Sequence, residues 1–163
     1  MKESLPIILD IEASGFGSGS YPIEVGLALA DGSCESVLIH PEPEWTHWSE
    51  EAASIHRIKR EMLLREGLPA RVVAQHLNAL LAGQTVYSDA WGFDSTWLSL
   101  LFYHAGVNQH FKLDSLRRLL TEKQATYWGA IKDQVVRTFK LTRHRAGDDA
   151  RLLQLALRQV SQL

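Results

Sequence analysis

Two carboxylates stand two residues apart at the end of an apolar run, Leu5-Pro6-Ile7-Ile8-Leu9-Asp10-Ile11-Glu12. If that run is a buried strand, its side-chain period of two places Asp10 and Glu12 on one face. Carboxylates held close together repel, and one must take up a proton unless a cation neutralises the pair. Mg²⁺ or Mn²⁺ suits such a site, because both prefer oxygen ligands and keep waters that a substrate can displace. Asp-x-Glu is nevertheless a common spacing, and a turn cap beside a solvated acid accounts for it equally well.

Two later segments add to the pattern. Thr85-Val86-Tyr87-Ser88 reads as a short strand, Asp89-Ala90-Trp91-Gly92 as a turn, and Phe93, Trp97, Leu98, Leu101 and Phe102 as the apolar positions of a helix with Asp94 in its first turn. Further on, His144-Arg145-Ala146-Gly147-Asp148-Asp149 precedes a helical pattern with Leu152, Leu153, Leu155, Ala156 and Leu157. Residues five apart on a helix differ by roughly 140°, so His144 and Asp149 cannot meet from one regular helix. His144 is predicted on the loop before it. Each segment alone also fits helix capping and the macrodipole.

In order and spacing the three segments resemble the DEDD superfamily of 3′-5′ exonucleases, in its histidine-bearing branch. Asp10-Ile11-Glu12-Ala13-Ser14-Gly15 is similar to the first motif, with Ile23-Glu24-Val25-Gly26 as the strand that follows it. Phe93-Asp94 is similar to the second and His144 to Asp149 to the third, so the resemblance spans nearly the whole chain. Asp89 and Asp148 are rivals for the second and third acids. Asp89 lacks a preceding aromatic residue, and the family spacing selects Asp149. Ser88-Asp89 stands where many members have His-Asn, which is a departure from the family.

The resemblance implies an RNase H-like α/β fold and hydrolysis of single-stranded DNA or RNA from the 3′ end to nucleoside 5′-monophosphates. It implies two Mg²⁺ or Mn²⁺ ions held by Asp10, Glu12, Asp94 and Asp149, with His144 as general base. It also puts the main chain of Ala13, Ser14 and Gly15 against the terminal nucleotide, with Phe16 wedged beside the last base. Relatives that act as dimers or as subunits leave room for a homodimer or a larger complex. Two other readings remain open: a catalytically silent module of the same fold that binds nucleic acid or a polymerase, and a metal phosphodiesterase acting on short oligonucleotides.

The 163 residues, 45% hydrophobic and 22% charged, suit one exonuclease domain over 1–163. A net charge of -2 does not describe a protein that coats nucleic acid nonspecifically. Arg137, Lys140, Arg143 and Arg145 nonetheless follow one another without an intervening acid. Beside His144, Arg143 and Arg145 are candidates to hold strand phosphates. Met1-Lys2-Glu3-Ser4 shows no leader pattern and no run is long enough to span a membrane. The single cysteine, Cys34, excludes an internal disulfide and a cysteine-rich zinc site, so a cytoplasmic location is expected. His47, His56, His76, His104 and His110 show no metal-ligand spacing. Core packing is the default for the tryptophans, and Trp91 and Trp128 are the ones to test for contact with bases.

Strands are predicted over Ile7–Ile11, Ile23–Ala30 and Cys34–His40, the last two joined by an Asp31-Gly32-Ser33 turn. Helices are predicted over Ser49–Ile55, Arg60–Arg65 and Ala70–Leu81. A fifth strand over Phe111–Leu113 precedes helices over Leu116–Leu120, Tyr127–Phe139 and Asp148–Val160. The order implies a mixed sheet of about five strands with helices on both faces. Asp10, Glu12 and the Ser88-Asp89 turn fall at strand ends, where sites form in such sheets.

Overall fold

A computed structural model describes residues 4–163; the first three residues, part of the segment without a leader pattern, lie outside them. Strands β1 (Ile8–Ala13), β2 (Pro22–Ala28), β3 (Cys34–Leu38), β4 (Thr85–Ser88) and β5 (Lys112–Ser115) form one mixed sheet in the order β3-β2-β1-β4-β5. β1 to β3 run antiparallel as consecutive strands, whereas β4 and β5 join in parallel. Six α-helices occur among the described residues: α1 (Glu50–His56), α2 (Arg60–Glu66), α3 (Ala70–Leu81), α4 (Trp91–Ala105), α5 (Glu122–Phe139) and α6 (Ala146–Val160). No helix is long and apolar enough to cross a membrane among the described residues.

The sheet divides the core in two. Leu9 and Ile11 pack with Val73, Leu77, Leu98 and Leu101 of α3 and α4. Ile8 packs with Trp128, Val135, Leu153 and Leu157 of α5 and α6. By the alternation of the strand, Asp10 and Glu12 share the face of Ile8 and point toward α6. β2, paired on both edges, is buried along its whole length.

The differences from the predicted boundaries have local causes. α5 starts at Glu122, five residues before the predicted start at Tyr127, because Thr121 and Gln124 form a capping box. Its first turn is too polar for hydrophobic periodicity to reveal. α4 begins inside the predicted turn, at Trp91, and α6 two residues early, at Ala146. Leu116–Leu119 is a 3-10 turn capped by Ser115, not an α-helix. The β2–β3 turn forms as expected, with Gly32 at φ 87° and Asp31 accepting from the Ser33 amide at 2.9 Å.

Gly26 lies opposite Asp10 and faces the start of α6. A Cβ there would stand 2.0 Å from the carbonyl carbon and oxygen of Ala146. Those backbone atoms cannot turn aside. Gly26→Ala is therefore expected to destabilise the protein by about 1–3 kcal/mol or more, lowering its melting temperature by roughly 2–12 °C. An unchanged calorimetric melt would show that α6 does not need this close approach.

Candidate active site

Five predicted side chains converge at the carboxyl end of β1. Asp10 and Glu12 come from the strand, Asp94 from the first turn of α4, Asp149 from the first turn of α6, and His144 from the preceding loop. Ligand atoms of Glu12, His144 and Asp149 all lie within 4.8 Å of one another. Asp10 Oδ2 and Asp94 Oδ2 are buried and have no hydrogen-bond partner.

Orphaned carboxylate oxygens are costly, and their effect on protonation is large. Burial, then the charges of Asp94, Asp149, Glu12 and Glu24, push Asp10 well above the usual carboxylate range. Burial and Asp149 push Glu12 to about 9. Burial raises Asp94 to about 7 against the pull of the Ser88 hydroxyl. It also raises Asp149, less because the His144 amide stabilises the charge. A set of acids that resists ionising while holding unpartnered oxygens fits a divalent cation.

Asp94 is not a helix cap: Ala90 occupies the cap position, and the Asp94 side chain is 2% exposed. Asp89, its rival in sequence, is engaged elsewhere. It pairs with Arg117 at 3.3 Å and Lys132 at 3.0 Å and accepts from Trp128 Nε1 at 3.3 Å. Trp128 is 1% exposed and belongs to the core, the default for an aromatic residue. Trp91 remains exposed, with its indole N–H donating to the Leu113 carbonyl at 3.0 Å.

The third acid is positioned from β2. Glu24 is 1% exposed. It accepts from Arg145 Nε at 3.1 Å, from the second Arg145 nitrogen at 2.8 Å and from the Ala146 amide at 2.8 Å. A bidentate charged pair and a helix-start amide thus fix α6 to the sheet beside Gly26. His144 takes a left-handed φ of 67°, and its amide donates to both Asp149 oxygens at 3.1 and 3.0 Å. Its imidazole is left exposed beside the acids. Arg143 lies 3.7 Å from Asp149.

Beside the acids lies a cavity of about 250 Å³ whose wall includes Ala13, Gly15, Phe16, Ile55, Phe93 and Trp97. Phe16 is 70% exposed and meets Phe93 edge-on at 5.2 Å, while Phe93 stacks on Trp97 at 5.7 Å. Trp97, on the apolar face of its helix, is 7% exposed and packs in the core as expected, and it also lines this cavity. The Ser14 side chain is buried: its Oγ hydrogen bonds with His47 Nδ1 at 2.9 Å and accepts from the Tyr21 amide at 3.1 Å. A Cβ on Gly15 would meet Ser49 Cβ at 2.7 Å, so the glycine permits close packing of the loop base.

Sequence reasoning missed His56, which lines the same cavity and is 3% exposed. It is the last residue of α1, far in the chain from every motif, and no spacing links it to them. A second trio, Glu42, Glu44 and His104, has ligand atoms within 4.8 Å of one another, but the Trp45 indole already donates to His104 at 3.3 Å.

No protein-family model and no curated protein matches the chain. Solved structures do. Zinc-bound E. coli exonuclease I in complex with single-stranded DNA matches at TM-score 0.70 and 14% identity, covering 99% of this chain and 41% of that one. The same enzyme with a dA16 oligonucleotide matches at TM-score 0.73 and 13% identity, covering 98% and 41%. Exonuclease I of Methylocaldum szegediense matches at TM-score 0.69 and 14% identity, covering 96% and 40%. The chain thus spans about two fifths of the length of these proteins. Along nearly all of its own length it shares their RNase H-like α/β fold.

Proposed function

We propose that the chain is a divalent-metal-dependent 3′-5′ exonuclease of single-stranded DNA or RNA. The observation that carries this reading is the convergence of four acids, two with orphaned buried oxygens, on an exposed histidine beside an aromatic-mouthed cavity. A module that only bound nucleic acid would gain nothing from mutually repelling carboxylates. The likeness to structures of exonuclease I with single-stranded DNA supports the same reading.

Asp10, Glu12, Asp94 and Asp149 would hold Mg²⁺ or Mn²⁺, as hard oxygen donors do. When bound, a pair of such ions acidifies water and stabilises both the attacking and leaving oxygens of an in-line displacement at phosphorus. The chain's own groups do the rest. His144 takes a proton from the attacking water as its oxygen bonds to phosphorus and the bond from phosphorus to the penultimate 3′ oxygen breaks. The leaving oxygen is protonated from solvent, and a nucleoside 5′-monophosphate departs. Phe16 stacks on a base, an interaction worth about 1–3 kcal/mol whatever the base. Trp97 and Phe93 hold that ring in place.

Purified protein incubated with 3′- and 5′-labelled single strands of DNA and RNA, with Mg²⁺ or Mn²⁺ and with chelator, tests the proposal. Stepwise shortening from the 3′ end, suppressed by chelator, is expected. Early internal fragments would indicate an endonuclease; binding without shortening in any condition would indicate a silent module.

A further inference from the structure

His144 and His56 also form part of a second cavity, of about 300 Å³, whose wall is completed by Ile55, Arg57, Thr142, Arg143 and Arg145. No acid lines it. It adjoins the aromatic-mouthed cavity, with which it shares Ile55, His56 and His144.

Three features give this cavity the character of an anion site. Arg57 closes α1 at φ 59°, and His144 stands at φ 67°, so two left-handed non-glycine residues line one cavity. Glycine is the residue that such a helix cap favours, and a large side chain held there at the expense of backbone comfort points to a use for it. Arg57 is exposed and makes no side-chain hydrogen bond or ion pair among the described residues, whereas Arg145 is committed to Glu24 and Arg143 stands 3.7 Å from Asp149. Lastly, His56 Nδ1 accepts from the Ile58 amide at 3.0 Å, which places the ring proton on Nε2. That donor is buried without a partner, in a residue that is 3% exposed and lines both cavities.

We propose that this cavity binds a phosphodiester of the strand adjacent to the scissile one, with the Arg57 guanidinium as its main ligand. The proposal rests on the nuclease reading and narrows it. The preferred substrate is a strand with at least two phosphates, and an ester with a single phosphate reaches only half of the site.

Arg57→Gly removes the guanidinium and relieves the left-handed backbone, so the variant is expected to melt no lower than the parent. KM for dT and rU strands is expected to rise about tenfold, the scale of one charge-assisted hydrogen bond to phosphate. The salt slope of binding should fall by about 0.7, the value for one phosphate contact on a single strand. Thymidine 5′-(p-nitrophenyl phosphate), with one phosphate, should be hydrolysed at the parent's rate, and Arg57→Lys should retain most of the strand affinity. Fluorescence anisotropy with strands ending in phosphorothioate linkages, in Mn²⁺, reads affinity without hydrolysis. If the parent hydrolyses nothing yet Arg57→Gly weakens this binding, the nuclease reading fails and the phosphate pocket stands. Unchanged strand affinity, no strand binding by the parent, or an equal loss on the single-phosphate ester would overturn the pocket.

Discussion

Asp10→Asn is expected to abolish hydrolysis while making the metal-free protein more stable. The loss follows from removing a carboxylate common to the whole cluster: ion-assisted stabilisation is worth several kcal/mol, so a fall of about 10³-fold or more is expected. The stability gain follows from the same residue's environment. Asp10 is held well above the usual carboxylate range by burial and by four neighbouring acids, so the folded chain resists its ionisation and the unfolded chain does not. For a raised carboxyl the native state binds the extra proton, and stability falls as pH rises from the unfolded value toward the folded one. Glu12, moved from 4.5 to about 9, widens that window across neutrality. In chelator the parent should therefore melt lower at pH 9 than at pH 5. Mn²⁺ should restore it most where the acids must otherwise ionise unaided. Asp10→Asn should flatten the pH slope and lose most of the Mn²⁺ shift. Calorimetry at pH 5, 7 and 9 with and without Mn²⁺ checks all of this; a variant melting below the parent in chelator at pH 9 would contradict the electrostatic account.

The second large effect is at His144. Removing the proposed general base is expected to slow the reaction by about 10²- to 10⁴-fold. Alanine at φ 67° would retain the backbone strain, so glycine is the cleaner substitution. His144→Gly keeps the main-chain amide that holds both Asp149 oxygens, and the Mn²⁺ shift in melting temperature should survive. Loss of rate with retention of the shift, and partial recovery with added imidazole, would separate proton transfer from cation binding. A full rate in His144→Gly would remove the histidine from the chemistry.

Much of this arrangement was legible in the sequence because it is written in local patterns. The Asp10-Ile11-Glu12 alternation needs only the two-residue period of a strand, and the five-residue gap from His144 to Asp149 needs only helix geometry. Gly26 and Glu24 were legible as part of a motif, but their task was not. It depends on α6, more than a hundred residues later, docking against β2. His56 and Arg57 were silent for a related reason: the tautomer of one and the left-handed backbone of the other exist only once α1 is folded against the site. An aromatic residue on an amphipathic helix reads the same whether it faces solvent or core, and Trp128 took the default, the core. The Thr121-Gln124 capping box was readable, yet the polar turn after it offered no apolar stripe.

The clamp of Glu24 on Arg145 and Ala146 makes the start of α6 a single detachable part. Local opening in native proteins proceeds by cooperative segments, and a segment's departure takes all its contacts together. Were the first turn of α6 to lift from β2, Asp149, the His144 amide that orients it, the His144 ring and Arg143 would leave in one event, while Asp10, Glu12 and Asp94 stayed with the sheet and α4. Activity would then disappear in proportion to the undocked fraction, at temperatures where the rest of the domain is still folded. Amide hydrogen exchange at Ala146 and Asp149 would follow inactivation more closely than the global melt does.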